Sequence, residues 1–314
     1  MKLQKFQILQ EKINDDFNKL KQEHPERLKN RLKLSWSNWT FGAEELEASL
    51  ERLSKAGVKY IELGGNHFGD EVGYRVDETK RLLKAYGIEC SGICGFYGED
   101  NALSSNRALV SQQAIDYIRR ETEFCRSIGG SYLLIVPGKV GTSIPYDSSD
   151  VIRSVNTLKI AAKYFEMNEI KGAIEPIRSA EVPIIRTVSE AKEYIKAVGH
   201  PSIQYINGDV FHMLSDERSV ADALLEAGDM LINLHMEDSN RKALGEGCMD
   251  VDTIIKVLYI MDYNNKQNYV TFEPLGPGGD SYQVMYGLHP KDKLDRMVVD
   301  SVNYFRERED ILLL

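Results

Sequence analysis

The chain has 314 residues, 42% of them hydrophobic, and a formal charge of −9. An acidic chain lacks the basic footprint of general nucleic-acid binders, so no nucleic-acid partner is expected. No apolar run approaches the ~20 residues that cross a bilayer, so no membrane partner is expected either. Cys90, Cys94, Cys125 and Cys248 form no CxxC pair. They read as buried free thiols, which points to a reducing, cytoplasmic compartment. Residues 1–33 are rich in Lys, Glu, Gln and Asn and lack the apolar centre of a secretory signal.

The chain opens on a predicted helix. Leu3, Phe6, Ile8, Leu9, Ile13, Phe17 and Leu20 recur at helical spacing among charged residues. Residues 1–31 therefore read as a helical extension. It would pack on the exterior of a catalytic domain spanning residues 32–314, or else clasp a partner subunit.

From Leu32 onward apolar runs alternate with amphipathic stretches. Strands are predicted near Leu32–Ser37, Val58–Leu63, Ile88–Gly95, Tyr132–Val136, Lys171–Glu175, Ile203–Asp209, Met230–His235 and Tyr269–Glu273. Helices fall between them, as at Ala43–Lys55, Ala108–Ile128 and Ile254–Tyr263. Gly57, Gly87, Gly129 and Gly228 punctuate helix ends. Strands alternating with helices imply a parallel sheet, and eight pairs predict a closed (β/α)8 barrel, a fold that takes ~250 residues. An open doubly wound sheet is the rival, but no GxGxxG follows the first strand. The stretch Leu275–Lys293, with Pro277–Asp280 inside it, reads as a long functional loop.

Four residues that can ligate a metal end four successive strands. Glu175 closes AIE, Asp209 closes INGD, His235 closes INLH and Glu273 closes VTFE. In a parallel barrel all C-terminal strand ends open onto one mouth. One capping carboxylate would mean little; four such residues in succession predict a hard, mostly oxygen site for a divalent cation. Carboxylates and one imidazole suit Mn²⁺, Mg²⁺ or Co²⁺ better than structural Zn²⁺, and the nitrogen ligand favours Mn²⁺.

Further residues fall in the loops at that mouth. Arg178 and Glu181 follow Glu175, His212 follows Asp209, and Arg241 follows His235. Singly, each reads as a solvated or salt-bridged loop residue. Together they offer donors for sugar hydroxyls and a carboxylate to orient them. From the first half of the chain, Trp36, Glu62, Asn66, His67 and Cys94 come from strand ends or the loops just after.

At these residues the chain resembles the metal-dependent sugar isomerases and epimerases with xylose-isomerase-like barrels, especially ketose 3-epimerases. The matching pattern is Glu175 with Glu181, D-x-x-H at Asp209 and His212, H-x5-R at His235 and Arg241, and Glu273. The resemblance implies that Glu175 and Glu273 are ligands and also acid/base groups on opposite faces of a sugar. From their places at the mouth, His212 is expected in the catalytic set, and Arg178, Glu181, Arg241, His67, Asn66 and Trp36 in substrate binding. Several stretches also resemble the catalytic subunit of C-glycoside deglycosidases: LSWSNWTFG, IELGGNHFG, AIEPIRSAEV, INGDVFHM, NLHMEDSNR and EPLGPGGD. That narrower likeness implies a lyase that cleaves 3-oxo-C-glycosides by elimination, working in a hetero-oligomer with a small β-rich second subunit. The alternative is a ketose 3-epimerase or related sugar isomerase.

Overall fold

A computed structural model describes residues 4–275 and 284–314. Leu3 of the predicted apolar stripe and the Pro277–Asp280 segment lie outside the described residues.

The eight predicted strands form. They are β1 Leu34–Ser37, β2 Tyr60–Gly64, β3 Glu89–Cys94, β4 Tyr132–Ile135, β5 Lys171–Ile174, β6 Tyr205–Asp209, β7 Leu231–Met236 and β8 Tyr269–Phe272. Each pairs in parallel with the next, and β8 closes on β1, giving a (β/α)8 barrel. Helices α1 Lys5–Glu23, α2 Leu46–Lys55, α3 Val76–Tyr86, α4 Ala108–Ser127 and α5 Asp150–Asn168 cover the first half. Helices α6 Val188–Val198, α7 Val210–Asp216, α8 Val220–Ala227, α9 Val251–Ile260 and α10 Lys291–Leu313 cover the second. The short α7 is an addition to the expected alternation. Asp209 starts it by accepting hydrogen bonds from the amides of Phe211 and His212.

Alternation along the strands divides their side chains between two environments. One set faces the helices. Trp36 belongs to it, stacked on Phe41 and against Phe272, which in turn meets Phe305 of α10. The other set fills the barrel in layers. Tyr60, Tyr132, Tyr205 and Tyr269 form an aromatic floor. Above it lies a polar layer. Thr271 donates to Asn233 Oδ1 (2.6 Å), Asn233 to Asn207 Oδ1 (2.7 Å), and Asn207 to Glu175 Oε1 (2.9 Å). Buried polar groups are tolerated because they satisfy one another. That layer supports the mouth residues from below.

Helix α1 packs on the barrel exterior. Ile13, Phe17 and Leu20 are buried, and Phe17 meets Tyr259 of α9 edge-on. Gln10 donates to Asp250 and Lys256 to Asn14.

Candidate metal centre and active site

Strand register brings the second-half residues together. Asp209 sits opposite His235, and His235 opposite Thr271. Glu175 and Glu273 each stand one residue past the end of their strand. His235 Nδ1 lies 3.0 Å from Glu273 Oε2 and 3.4 Å from Glu175 Oε1. Glu175, Asp209 and His235 offer ligand atoms that all lie within 4.8 Å of one another. Asp209 Oδ2 is buried and accepts no hydrogen bond among the described residues, with His212 Nε2 3.3 Å away. A converging carboxylate–imidazole set with an unpartnered buried oxygen fits a divalent cation.

Glu62 holds the far side of the histidine. His235 Nε2 is 3.0 Å from Glu62 Oε2, and Glu62 also accepts from Ser37 and Tyr132, each at 2.6 Å. Burial works against the Glu62 carboxylate, but the charge of His235 and these hydrogen bonds outweigh it and hold the group below its usual range. Burial alone would likewise strip the proton from His235. The carboxylates of Glu273 and Glu62 prevail and keep the ring protonated well above its ordinary value in the metal-free protein. Glu175 is pushed up to about 7, by burial and by the nearby Glu273 and Asp209, against the pull of His235. Asp209 is held low despite its burial, by His212 and Arg241. Burial lowers His212 to about 4, so its imidazole is neutral at pH 7.

Arg178, Glu181 and Arg241 form one cluster. Arg178 Nε donates to Glu181 Oε1 (2.5 Å), and Arg241 Nη1 lies 3.6 Å from the same oxygen. Both guanidiniums pack on the Phe211 ring, at 4.5 Å and 4.8 Å from its centroid. Arg241 adopts a left-handed backbone (φ 58°), and its buried Nε and Nη1 make ion pairs but no hydrogen bond among the described residues. Such donors suit oxygen-rich groups of a substrate.

Of the first-half expectations, Trp36 needs correction, and His67 and Asn66 are placed as follows. Trp36 is fully buried, and its indole N–H is used by Thr40 Oγ1. Its strand parity points it at the helices, away from the mouth. The mouth aromatic is Trp39, whose Nε1 donates to Glu273 Oε1 at 2.6 Å. His67 is occupied elsewhere: its ring stacks on Phe124 of α4 and its Nδ1 meets the Tyr74 carbonyl at 2.6 Å. Asn66 is exposed, and its backbone carbonyl accepts from Tyr74. Cys90, Cys94 and Cys125 are buried and free as expected, but Cys248 is exposed. Among the described residues no helix is long and apolar enough to cross a membrane.

Trp39, Asn207, Phe211 and Glu237 were not singled out in the sequence. Glu237 is fully buried, neither of its oxygens accepts a hydrogen bond among the described residues, and one lies within 4.8 Å of ligand atoms of Asp209 and Glu273. Burial and the charge of Asp209 push its carboxyl well up. The signal for Glu237 and Asn207 was present: each stands two residues from a ligand, and so on the same face.

The profile of the xylose isomerase-like TIM barrel family matches residues 50–294, and the chain belongs to that family. It is 26% identical to L-ribulose 3-epimerase of Methylomonas sp. (strain DH-1), over 76% of this chain and 82% of that one. It is 24% identical to 3-dehydro-D-guloside 4-epimerase of Escherichia coli (strain K12), over 77% and 92%. The structure of Methylomonas sp. D-allulose 3-epimerase with D-allulose superposes with a TM-score of 0.75 at 21% identity, over 89% of this chain and 98% of that one. The narrower likeness to C-glycoside deglycosidases gains no support from these relatives.

Proposed function

We propose that the chain is a divalent-cation-dependent sugar epimerase or isomerase that removes the proton from a carbon next to a sugar ketone. The carrying observation is the placement of Glu175 and Glu273, 3.4 Å and 3.0 Å from one nitrogen of His235. The relatives named for inversion of keto-sugars and keto-glycosides support the same class.

Glu175, Asp209, His235 and Glu273 would hold the cation, with Mn²⁺ the best match to one imidazole among carboxylates. Bound there, a divalent cation stabilises negative charge on a ketone oxygen. The protein's own groups handle the proton. One of Glu175 and Glu273 takes it from one face of the sugar, and the other returns a proton to the opposite face, inverting the carbon. The buried donors of Arg241, the guanidinium of Arg178, Glu181 and neutral His212 would orient the remaining oxygens.

The second reading is the C–C lyase. It rests on the likeness of whole stretches such as INGDVFHM and NLHMEDSNR to C-glycoside deglycosidases. The first step is shared. With the ketone at sugar carbon 3, a carboxylate takes the proton at carbon 2. The electron pair then forms a double bond to carbon 1 and expels the aglycone carbon, which takes up a proton. The products are an unsaturated keto-sugar and the free aglycone. A small β-rich second subunit and a cytoplasmic setting belong to this reading.

Proton NMR in D₂O with Mn²⁺-loaded protein separates the two. A ketohexose and a 3-oxo-C-glucoside run in parallel. Deuterium entry with a new epimer supports the epimerase, and aglycone release supports the lyase. If metal-loaded protein causes neither, proton abstraction at this site is wrong.

A further inference from the structure

Arg241 stands on the loop between β7 and α9, and Asp238 holds that loop from inside. Asp238 is buried, and its carboxylate accepts hydrogen bonds from three backbone amides. Oδ1 takes those of Ser239 (2.7 Å) and Met249 (3.0 Å), and Oδ2 takes that of Gly245 (2.8 Å). One side chain thus ties the start, middle and end of a stretch that has no helix or strand of its own. Two further bonds, Cys248 N–H to Ser239 Oγ (2.9 Å) and Asn240 Nδ2 to the Glu246 carbonyl (2.8 Å), lie exposed to water. The bonds to Asp238 are better shielded and their acceptor is a carboxylate, so they are the stronger ties. Gly247 leaves the room they need: a Cβ there would come within 2.2 Å of Asp238 Oδ1.

Asp238 also fixes Arg241 through the backbone. The Arg241 amide donates to the Asp238 carbonyl (2.8 Å), and the Asp238 amide to the Lys242 carbonyl (3.0 Å). This tight turn carries Arg241 in the left-handed region (φ 58°), where a residue with a side chain stays only if its surroundings hold it. From there the guanidinium lies 4.8 Å from the Phe211 ring centroid and 3.6 Å from Glu181 Oε1.

We propose that Asp238 is a positioning residue: it touches no substrate and acts by holding the β7–α9 loop in the turn that sets Arg241 over Phe211. The inference rests on the reading of Arg241 as a group that orients substrate oxygens, and deepens it.

The test uses the full chain and two variants, loaded with Mg²⁺ for NMR and with Mn²⁺ for kinetics. Asp238→Asn keeps the size of the side chain, but its N–H₂ must face a backbone donor that the carboxylate accepted. Gly247→Ala leaves Asp238 in place and crowds its Oδ1, and the backbone of Gly247 lies outside the left-handed region, so it suits Ala. Arginine Nε–H NMR spectra, with Arg241 assigned through Arg241→Lys, read the side chain directly. In the wild type, stacking on Phe211 should shift the Arg241 resonance away from those of solvated arginines. Both variants should lose that shift, with circular dichroism unchanged. On a ketohexose, KM should rise by roughly tenfold with kcat changed little. Asp238→Asn should add nothing in an Arg241→Ala background. A resonance that keeps its shift in both variants overturns the proposal, and so does an additive loss in the double variant. A wild type that turns over no ketohexose overturns the epimerase reading, and the NMR spectra still decide the positioning. Should Asp238→Asn fail to fold, Gly247→Ala carries the comparison.

Discussion

The imidazole of His235 lies 3.0 Å by its Nε2 from Glu62 Oε2, on the side away from the other ligands. A carboxylate there accepts a hydrogen bond from Nε2–H and leaves the Nδ1 lone pair to the cation, which raises ligand basicity and fixes the ring. Glu62→Gln keeps the size of the side chain and all four ligands. We expect Mn²⁺ affinity to fall by ~10–100-fold, read by titration calorimetry. An unchanged affinity means that Glu62 is a filler of the polar layer and no more.

Cation and proton compete for His235 Nδ1. Burial disfavours the charged ring, but Glu273 and Glu62 overcome that and raise its value well above 6.5 in the metal-free protein. Binding must displace this proton, so affinity should rise as pH rises and the ring gives it up. Calorimetry in two buffers of different ionisation enthalpy measures the release. Stability of the metal-free protein runs the other way. A raised folded value contributes stability below about 6.5 that is lost as pH rises through it. Glu175, raised to about 7, has the same sign over a lower window, from its ordinary 4.5 upward. Chelator-treated protein should therefore melt lower at pH 9 than at pH 6, and Mn²⁺ should reverse the trend. A flat profile counts against both assignments.

Glu121 of α4 gives a pH effect away from the mouth. Burial raises it to about 8, with the His67 amide and Arg120 offsetting only part. Its Oε2 is buried without a partner. The fold is unpenalised below about 4.5 and loses stability as pH rises toward 8. Glu121→Gln can still accept from the His67 amide. The variant should match the wild type at pH 5 and exceed it by roughly 2–4 kcal/mol at pH 9 in urea unfolding. Parallel pH profiles for the two proteins would exclude an ionisation penalty at this site.

The two tryptophans should separate stability from activity. Trp36→Ala empties a fully buried site between Phe41 and Phe272 and should cost about 3–5 kcal/mol. Trp39→Phe removes the indole N–H that donates to Glu273 Oε1. Its expected effect is a kcat lowered by about tenfold, in line with one lost hydrogen bond to a charged group, with little change in melting temperature. Equal losses of stability in the two variants would mean that the indole of Trp39 is structural.

Much of the barrel was legible because both faces of each strand are covered. Runs such as YLLI at β4 then read as near-continuous apolar segments, and their repetition at regular spacing implies closure. The ligand positions were legible for a related reason. Glu175, Asp209, His235 and Glu273 interrupt or end apolar runs where a charge has no other use. Trp36 misled because strand ends were read without their parity. The polar layer of Asn207, Asn233 and Thr271 was not legible, since its members meet across strands that are far apart in sequence.

By itself the sequence determined the alternation of strand and helix, the net acidic charge, and four residues able to ligate a metal at four successive strand ends. Those are local properties, carried by period and composition. Tertiary structure alone decided that His235 turns one nitrogen to Glu62 and the other to Glu175 and Glu273. It also decided that Trp39 rather than Trp36 reaches the site, and that Glu237 is buried there with no hydrogen bond among the described residues. The reason is geometric. Register and side-chain parity choose which groups converge, and their desolvation together shifts each one's charge.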